Sequence, residues 1–387
     1  MAITHANKRV YYACEAVRLN PVLVNGATET RAGYITPLGI QSIGMSTNFN
    51  LEKIYTLGQL AQYDAIEGNP EIEVTLNKVF DGSMPLFIAC MGGATSNNTE
   101  VSLANGQNNM VDMQFGIYKD TGTLTPISSG VSYMECSGMY LKSANYAFPV
   151  EGNATEEVVL VGNNKTWFDS SAGDGIAVEK TATDPTTKAS GIVRRWKINR
   201  TKSFMPYGTK GIRVGLAGKP PIMNVSFSLD LGREPVYSLG SINAYTRAVK
   251  LPLEINTTIE TMAQEGDFIN ISTTSGNFTC PTVAEQTTST SGDGGKNFTI
   301  RLCLCGAGTG DELLIDLGNK NVLNTVSFAG GDAGGGNLTS TYNFTTANTF
   351  SMTATGAYGT VTSNNVPAVA VGGASTANAV FADGLNM

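Results

Sequence analysis

One spacing constrains this chain more than any other. Tyr55-Thr-Leu57-Gly58, followed by Tyr63 and Pro70, returns as Tyr237-Ser-Leu239-Gly240, followed by Tyr245 and Pro252, 182 positions later and without a gap. Self-similarity at a long, fixed offset says that one supersecondary unit is built twice. The flanks support it. After a two-residue adjustment Met45–Leu51 matches Val225–Leu231, and after a one-residue adjustment Ile72, Val74 and Leu76 match Leu253, Ile255 and Thr257. A fainter anchor pairs the strand before Gly162 with Val326-Ser-Phe-Ala before Gly330, each preceded by a cysteine-bearing strand (Cys136; Cys303 and Cys305). The offset is close to half of the 387 residues, so two copies fill the chain. The boundary falls after the Gly-, Asp-, Thr- and Ala-rich loop Ser170–Ser190, near Ser203, giving domains over 1–203 and 204–387.

Within each copy the hydrophobic period is two. Met45, Thr47, Phe49 and Leu51 point one way while Ser46, Asn48 and Asn50 point the other. Ile72, Val74 and Leu76, and then Val225, Phe227, Leu229 and Leu231, make inward-facing rows. Strict alternation of this kind marks half-buried strands of antiparallel sheet. Long stretches of helical period are scarce, and the best candidate, Leu51–Asp64, is interrupted by Gly58, which leaves its state open. The expected fold is mainly β: two tandem antiparallel barrel or sandwich domains with few helices and long loops.

Composition removes whole classes of chemistry. The single histidine, His5, would have to carry any His-based triad, zinc site or general base. Charged residues are only 15% and the net charge is −7, whereas nucleic-acid-gripping proteins are usually basic. Gly211–Lys219 lacks the glycine and the Ser/Thr that a phosphate loop requires, since Arg213 and Pro220 stand there. Asp64, Glu67, Glu71 and Glu73 cluster, but the second copy has Thr246, Val249, Leu253 and Glu254 or Ile255 nearby, so a solvated strand face is the simpler reading. Arg194, Arg195, Lys197, Arg200 and Lys202 surround Trp196. This basic strand suits the acidic surface of a neighbouring subunit, plain solvation, or single-stranded nucleic acid. The six cysteines are scattered and read as buried thiols of a reducing compartment; zinc at Cys303 and Cys305 would need two more ligands. The five-residue apolar stretch after Arg9 is too short for an export signal, and no run is long enough to span a bilayer, so synthesis in a cytosol is expected. No catalytic, cofactor-binding or metal-ligating residue is assigned.

From Lys320 to Met387 there is no further Lys, Arg or Glu, and only Asp332 and Asp383 are acidic. Gly330–Gly336 reads as the tip of a hairpin joining Thr325–Ala329 to Leu338–Phe344. Uncharged strands present bare edges that invite pairing with another chain.

The recurring residues also carry a resemblance. Gly39–Leu51, Tyr55–Leu60, Ile66–Pro70 and Glu71–Val79 resemble tail tube proteins of tailed bacteriophages, best over about residues 8–90 and more weakly over about 211–275. The resemblance implies a virion structural protein rather than an enzyme, made in the host cytoplasm and located in the tail. It implies homo-oligomeric rings stacked into a tube, either a hexamer or three duplicated chains making a pseudo-hexameric ring. DNA would pass through the channel without specific binding. Sheath, baseplate or neck proteins would be its partners, with no membrane and no cofactor. Each half is larger than a minimal tube domain. Baseplate hub, distal tail and capsid decoration proteins stay open as alternatives, as does a carbohydrate-active β protein.

Overall fold

The computed structural model describes residues 16–25, 28–31, 37, 39–58, 60–80, 84–91, 99–117, 132–149, 152–169, 197–198, 222–240, 244–262, 299–303, 312–318, 321–330 and 338–354. In chain order the strands are β1 (Ala16–Asn25), β2 (Thr28–Arg31), β3 (Ile40–Asn48), β4 (Glu52–Tyr55), β5 (Gln62–Ile66), β6 (Glu71–Val79), β7 (Thr99–Ser102), β8 (Met110–Ile117), β9 (Ser132–Pro149), β10 (Thr155–Gly162) and β11 (Thr166–Asp169). They continue with β12 (Lys197–Ile198), β13 (Ile222–Asp230), β14 (Glu234–Val236), β15 (Thr246–Ala248), β16 (Glu254–Met262), β17 (Thr299–Cys303), β18 (Glu312–Asp316), β19 (Val322–Ala329), β20 (Thr339–Ala347) and β21 (Ser351–Ala354). Two short helices, α1 (Leu86–Met91) and α2 (Leu103–Gly106), complete the described elements. The fold is mainly β and its described ladders are antiparallel; none closes into a barrel.

Both parts of the chain share one sheet, in the order β3-β6-β10-β9-β13-β16-β20-β19. Strands β3, β6, β10 and β9 repeat as β13, β16, β20 and β19, in the same order and direction along the sheet. The registers coincide as well. Ile43 lies opposite Leu76, which lies opposite Val158; Val225 lies opposite Ile259, which lies opposite Tyr342. The ladder irregularity at Ile40/Ser42 recurs at Ile222/Asn224, and the one at Val159/Leu160 recurs at Leu323/Thr325 on the facing strands. The sheet therefore places Ile43, not Met45, where Val225 stands, and Ile72 where Ile255 stands. The matches read from the sequence slip by two residues on both flanks, because a slip of two leaves an alternating pattern unchanged. The fainter anchor fails too: by position β10, which ends at Gly162, corresponds to β20, and β19 corresponds to β9.

After the first strand of each set comes the same corner. Asn50 and Gly232 both adopt left-handed backbone (φ 48 and 51). Their N–H groups donate to Asn48 Oδ1 at 3.1 Å and Asp230 Oδ1 at 2.9 Å. A short polar side chain bonding two residues onward is how such a turn is nucleated. The chain then enters a hairpin, β4–β5 or β14–β15, with Glu52 opposite Ile66 and Glu234 opposite Ala248. Gly58 and Gly240 have φ values of 87 and 86, which side chains disfavour. The segment whose state the sequence left open is thus a hairpin and not a helix. The strand after Gly39 ends at Asn48, so Phe49 and Leu51 fall in the turn and are exposed.

One face of the large sheet is apolar. Val74, Leu76, Val158, Leu160, Ala144, Phe227, Ile255 and Phe344 are buried there. Phe87 of α1 and Phe350, just before β21, pack onto this face, with ring centroids 5.0 Å apart. Leu313, Ile315 and Met352 of a five-stranded sheet, β12-β17-β18-β21-β7, join the same cluster. Strand β7 comes from early in the chain and β21 from late, so the second layer also ties the two parts together. Cys90 and Cys136 are buried free thiols; burial pushes the Cys136 thiol up to about 11 and raises that of Cys90 as well. Of the other cysteines only Cys303 lies within a described element, and Cys305 is outside.

Candidate functional site: a polar sheet face and two open edges

Because side chains alternate along a strand, the face opposite the core carries the intervening residues. That face is a field of Ser, Thr, Asn and Glu. Asn77 Nδ2 donates to Ser42 Oγ at 3.0 Å, Asn145 Nδ2 to Glu157 Oε1 at 2.9 Å, Thr258 Oγ1 to Asn343 Oδ1 at 2.8 Å, and Asn343 Nδ2 to Thr325 Oγ1 at 2.8 Å. These cross-strand pairs run from one edge of the sheet to the other. A shallow groove on this face is lined by Asn77, Asn145, Glu157, Ser226, Asn256 and Thr258. Glu71, Glu73, Glu157, Asp230, Glu254 and Glu260 give it negative charge. Among the described residues Lys142 is the basic side chain of these strands that turns to this face, and it is engaged by Glu73. A surface with this balance repels phosphate, since affinity for nucleic acid comes chiefly from cations that replace condensed counterions.

Halfway along the sheet, β9 pairs with β13 and joins the two four-stranded sets. Tyr146 stacks on Phe227 with ring centroids 4.4 Å apart, and Phe148 lies 6.1 Å from the same ring. Two buried arginines at the base of the second hairpin clamp this join. Arg247 donates to Glu71 Oε1 at 2.9 Å on β6 and to Asn163 Oδ1 at 3.0 Å just after β10. Arg233 donates to the Leu141 and Arg247 carbonyls, each at 2.8 Å, and lies 5.1 Å from the Tyr140 ring. Burial pulls the Arg233 guanidinium down to about 10, with Arg247 adding to the shift and Tyr140 opposing it, so it stays charged at neutral pH.

Among the described residues the outer strands, β3 and β19, each have one neighbour in the sheet and leave their other side open. Neither contains a charged residue. Met45 on β3 and Val322 and Phe328 on β19 are exposed apolar side chains. Strand β20, the other half of the uncharged hairpin, lies inside the sheet between β16 and β19, so Thr339 and Thr341 sit on the polar face rather than on an edge. The hairpin tips add Leu57, Leu60 and Leu239, fully exposed, with Tyr63 and Tyr245 beside them.

The acidic cluster read from the sequence is divided by the fold. Asp64 and Glu67 are exposed around the first hairpin, Glu71 meets Arg247, and Glu73 meets Lys142. Of the basic run only Lys197–Ile198 is described, as β12; Arg194, Arg195, Trp196, Arg200 and Lys202 lie outside the described residues, as do Gly211–Lys219 and all of the Gly330–Gly336 tip but Gly330. Among the described residues no three His, Cys, Asp or Glu side chains are placed to hold a metal, and no helix is long and apolar enough to cross a membrane. Sequence reading missed the arginine clamp. Its one signal was that Arg247 stands where the first copy has Ala65, and Arg233 where it has Leu51.

No family model and no curated relative matches the chain. Solved structures with partial likeness include the baseplate of the anti-feeding prophage (9% identity, 40% of this chain and 93% of the other, TM-score 0.27) and the cap that terminates its tube (18%, 44% and 99%, TM-score 0.26). A third is the Hcp1 protein of E. coli EAEC 042 (11%, 40% and 98%, TM-score 0.21). Likeness this partial identifies no function.

Proposed function

We propose that this chain is a structural subunit of a phage-type tail tube, a tandem duplication whose copies build a ring head to tail. One observation carries the proposal: the two open edges, β3 and β19, are the positional equivalents of β13 and β9, the strands that already pair inside the chain. The join between the two copies is a template for a join between two chains. Repeating it removes both edges, and edges are what an isolated sheet must otherwise defend. The polar face becomes the inner wall and the apolar face stays under the second layer. Three chains, six copies, would make the pseudo-hexameric ring of duplicated tube proteins. DNA passes along an acidic wall without being held. The hairpin tips, with their exposed leucines and tyrosines, meet the next ring. Electron microscopy of the purified protein tests this. Rings or hollow rods with about three chains per ring are expected; compact single particles at high protein concentration would overturn the proposal.

A further inference from the structure

The internal join also specifies how two chains would meet, and the residues found there differ from those inside. In the ladder, Glu156 lies opposite Tyr146 and Lys78, while Ser340 lies opposite Phe328 and Thr261. Phe328 therefore holds the place of Tyr146. By the same comparison Met45 holds the place of Phe227, because Met45 lies opposite Val74 and Phe227 opposite Thr257. Inside the chain Tyr146 is the register partner of Phe227, and Asn145 that of Ser228.

We infer that the partner of the open β19 edge is the β3 edge of a second copy, in one register: Phe328 opposite Met45, Ser327 opposite Ser46 and Val326 opposite Thr47 of the neighbour. This rests on the ring reading above. The seam it describes keeps the apolar contact of the internal join and lacks its arginine clamp. Phe328 and Met45, 47% and 39% exposed in the single chain, meet as an aromatic–thioether pair in place of the Tyr146–Phe227 stack. The Arg233 and Arg247 positions are taken by Leu51, which is 58% exposed, and Ala65. The cationic clamp is thus confined to the join within the chain. Contact between chains involves two uncharged strands and is insensitive to salt, since screening acts on charges.

Two sets of variants test register and chemistry separately from assembly. Ser46→Cys with Ser327→Cys, mildly oxidised, is expected to give covalently linked oligomers on a non-reducing gel. Either single variant, and the slipped pair Ser46→Cys with Thr325→Cys, is expected to give none, because a disulfide needs Cα atoms within about 7 Å. Met45→Lys alone or Phe328→Glu alone is expected to lower the extent of assembly on the order of 30-fold, as an unpaired charge in an apolar seam does. Combining them in one chain is expected to restore assembly, now weakened by salt. If oligomers form but the slipped pair links, or neither pair links, or the combined variant fails to recover, this seam is wrong while the ring reading stands. If the unaltered protein never oligomerises, both fall.

Discussion

Glu156 shows what one residue contributes to this architecture. Fully buried under the sheet, it accepts the N–H groups of Leu86 at 2.7 Å and Phe87 at 3.0 Å at the start of α1, and the Tyr146 hydroxyl at 2.9 Å. Lys78 is its ladder partner. Burial raises its carboxyl above the usual range, against the pull of the two N–H donors, of Lys78 and of Tyr146. A raised value in the fold means that folding favours the protonated form. Its contribution is complete below the unfolded value of about 4.3 and is lost as pH rises through the raised one. Glu156→Gln removes that titration, so the gap between the urea midpoints of the variant and the unaltered protein is expected to widen in the variant's favour with rising pH. Midpoints that stay parallel across pH would contradict it. In the second four-stranded set Thr261 and Ser340 occupy these two places, with Thr261 Oγ1 donating to the Ser340 carbonyl at 3.4 Å. The charged pair is therefore tied to α1, which caps only the first set among the described elements.

At the scale of elements, the two hairpins are the clearest repetition. Their registers agree, their tip glycines share a left-handed backbone, and Leu57 and Leu239 stand fully exposed at the same offset. Among the described residues nothing covers these leucines, so their replacement leaves folding nearly unchanged, within about 0.5 kcal/mol for such surface sites. Leu57→Asp with Leu239→Asp is expected to give thermal unfolding like the parent and rings that no longer stack. Sedimentation velocity reads this as loss of the long rods with survival of the single-ring species. Rods of normal length would remove the hairpin tips from the ring-to-ring contact. This element was half legible. The Tyr-Leu-Gly spacing and its recurrence were plain, but Gly58 read as a helix breaker because a single glycine marks a turn without stating what flanks it.

Across the whole molecule the described faces separate, an apolar side under a second layer and an acidic, hydrogen-bonded side opposite it, and the proposed tube makes the acidic side its inner wall. Thr75→Lys with Thr341→Lys places cations on that acidic side, on strands inside the sheet and away from the open edges. Assembly is expected to persist, and duplex DNA is expected to bind where the parent does not. Each new phosphate contact would add about −0.9 to the slope of log affinity against log salt. Filter binding across a salt series measures it, and equal binding by parent and variant would show that this face does not line the channel.

Alternation by itself determined the antiparallel β class and which side chains of β6 and β13 turn inward, because burying one face of a strand writes a period of two into its residues. The offset of 182 identified the recurring corner, because a left-handed turn and a tight hairpin accept few residues at few positions. Register was misassigned although the offset of 182 already pairs Ile43 with Val225: a shift of two preserves the alternating pattern, and the ladder hydrogen bonds fix Ile43, not Met45, as the equivalent. Strand order was equally hidden. That β9 pairs with β13, so that two equivalent four-stranded sets share one sheet and leave matching edges, depends on contacts between residues far apart in the chain. Arg247 meeting Glu71 across 176 positions is of the same kind. Such contacts are selected by the packing of the whole core, which no local pattern encodes.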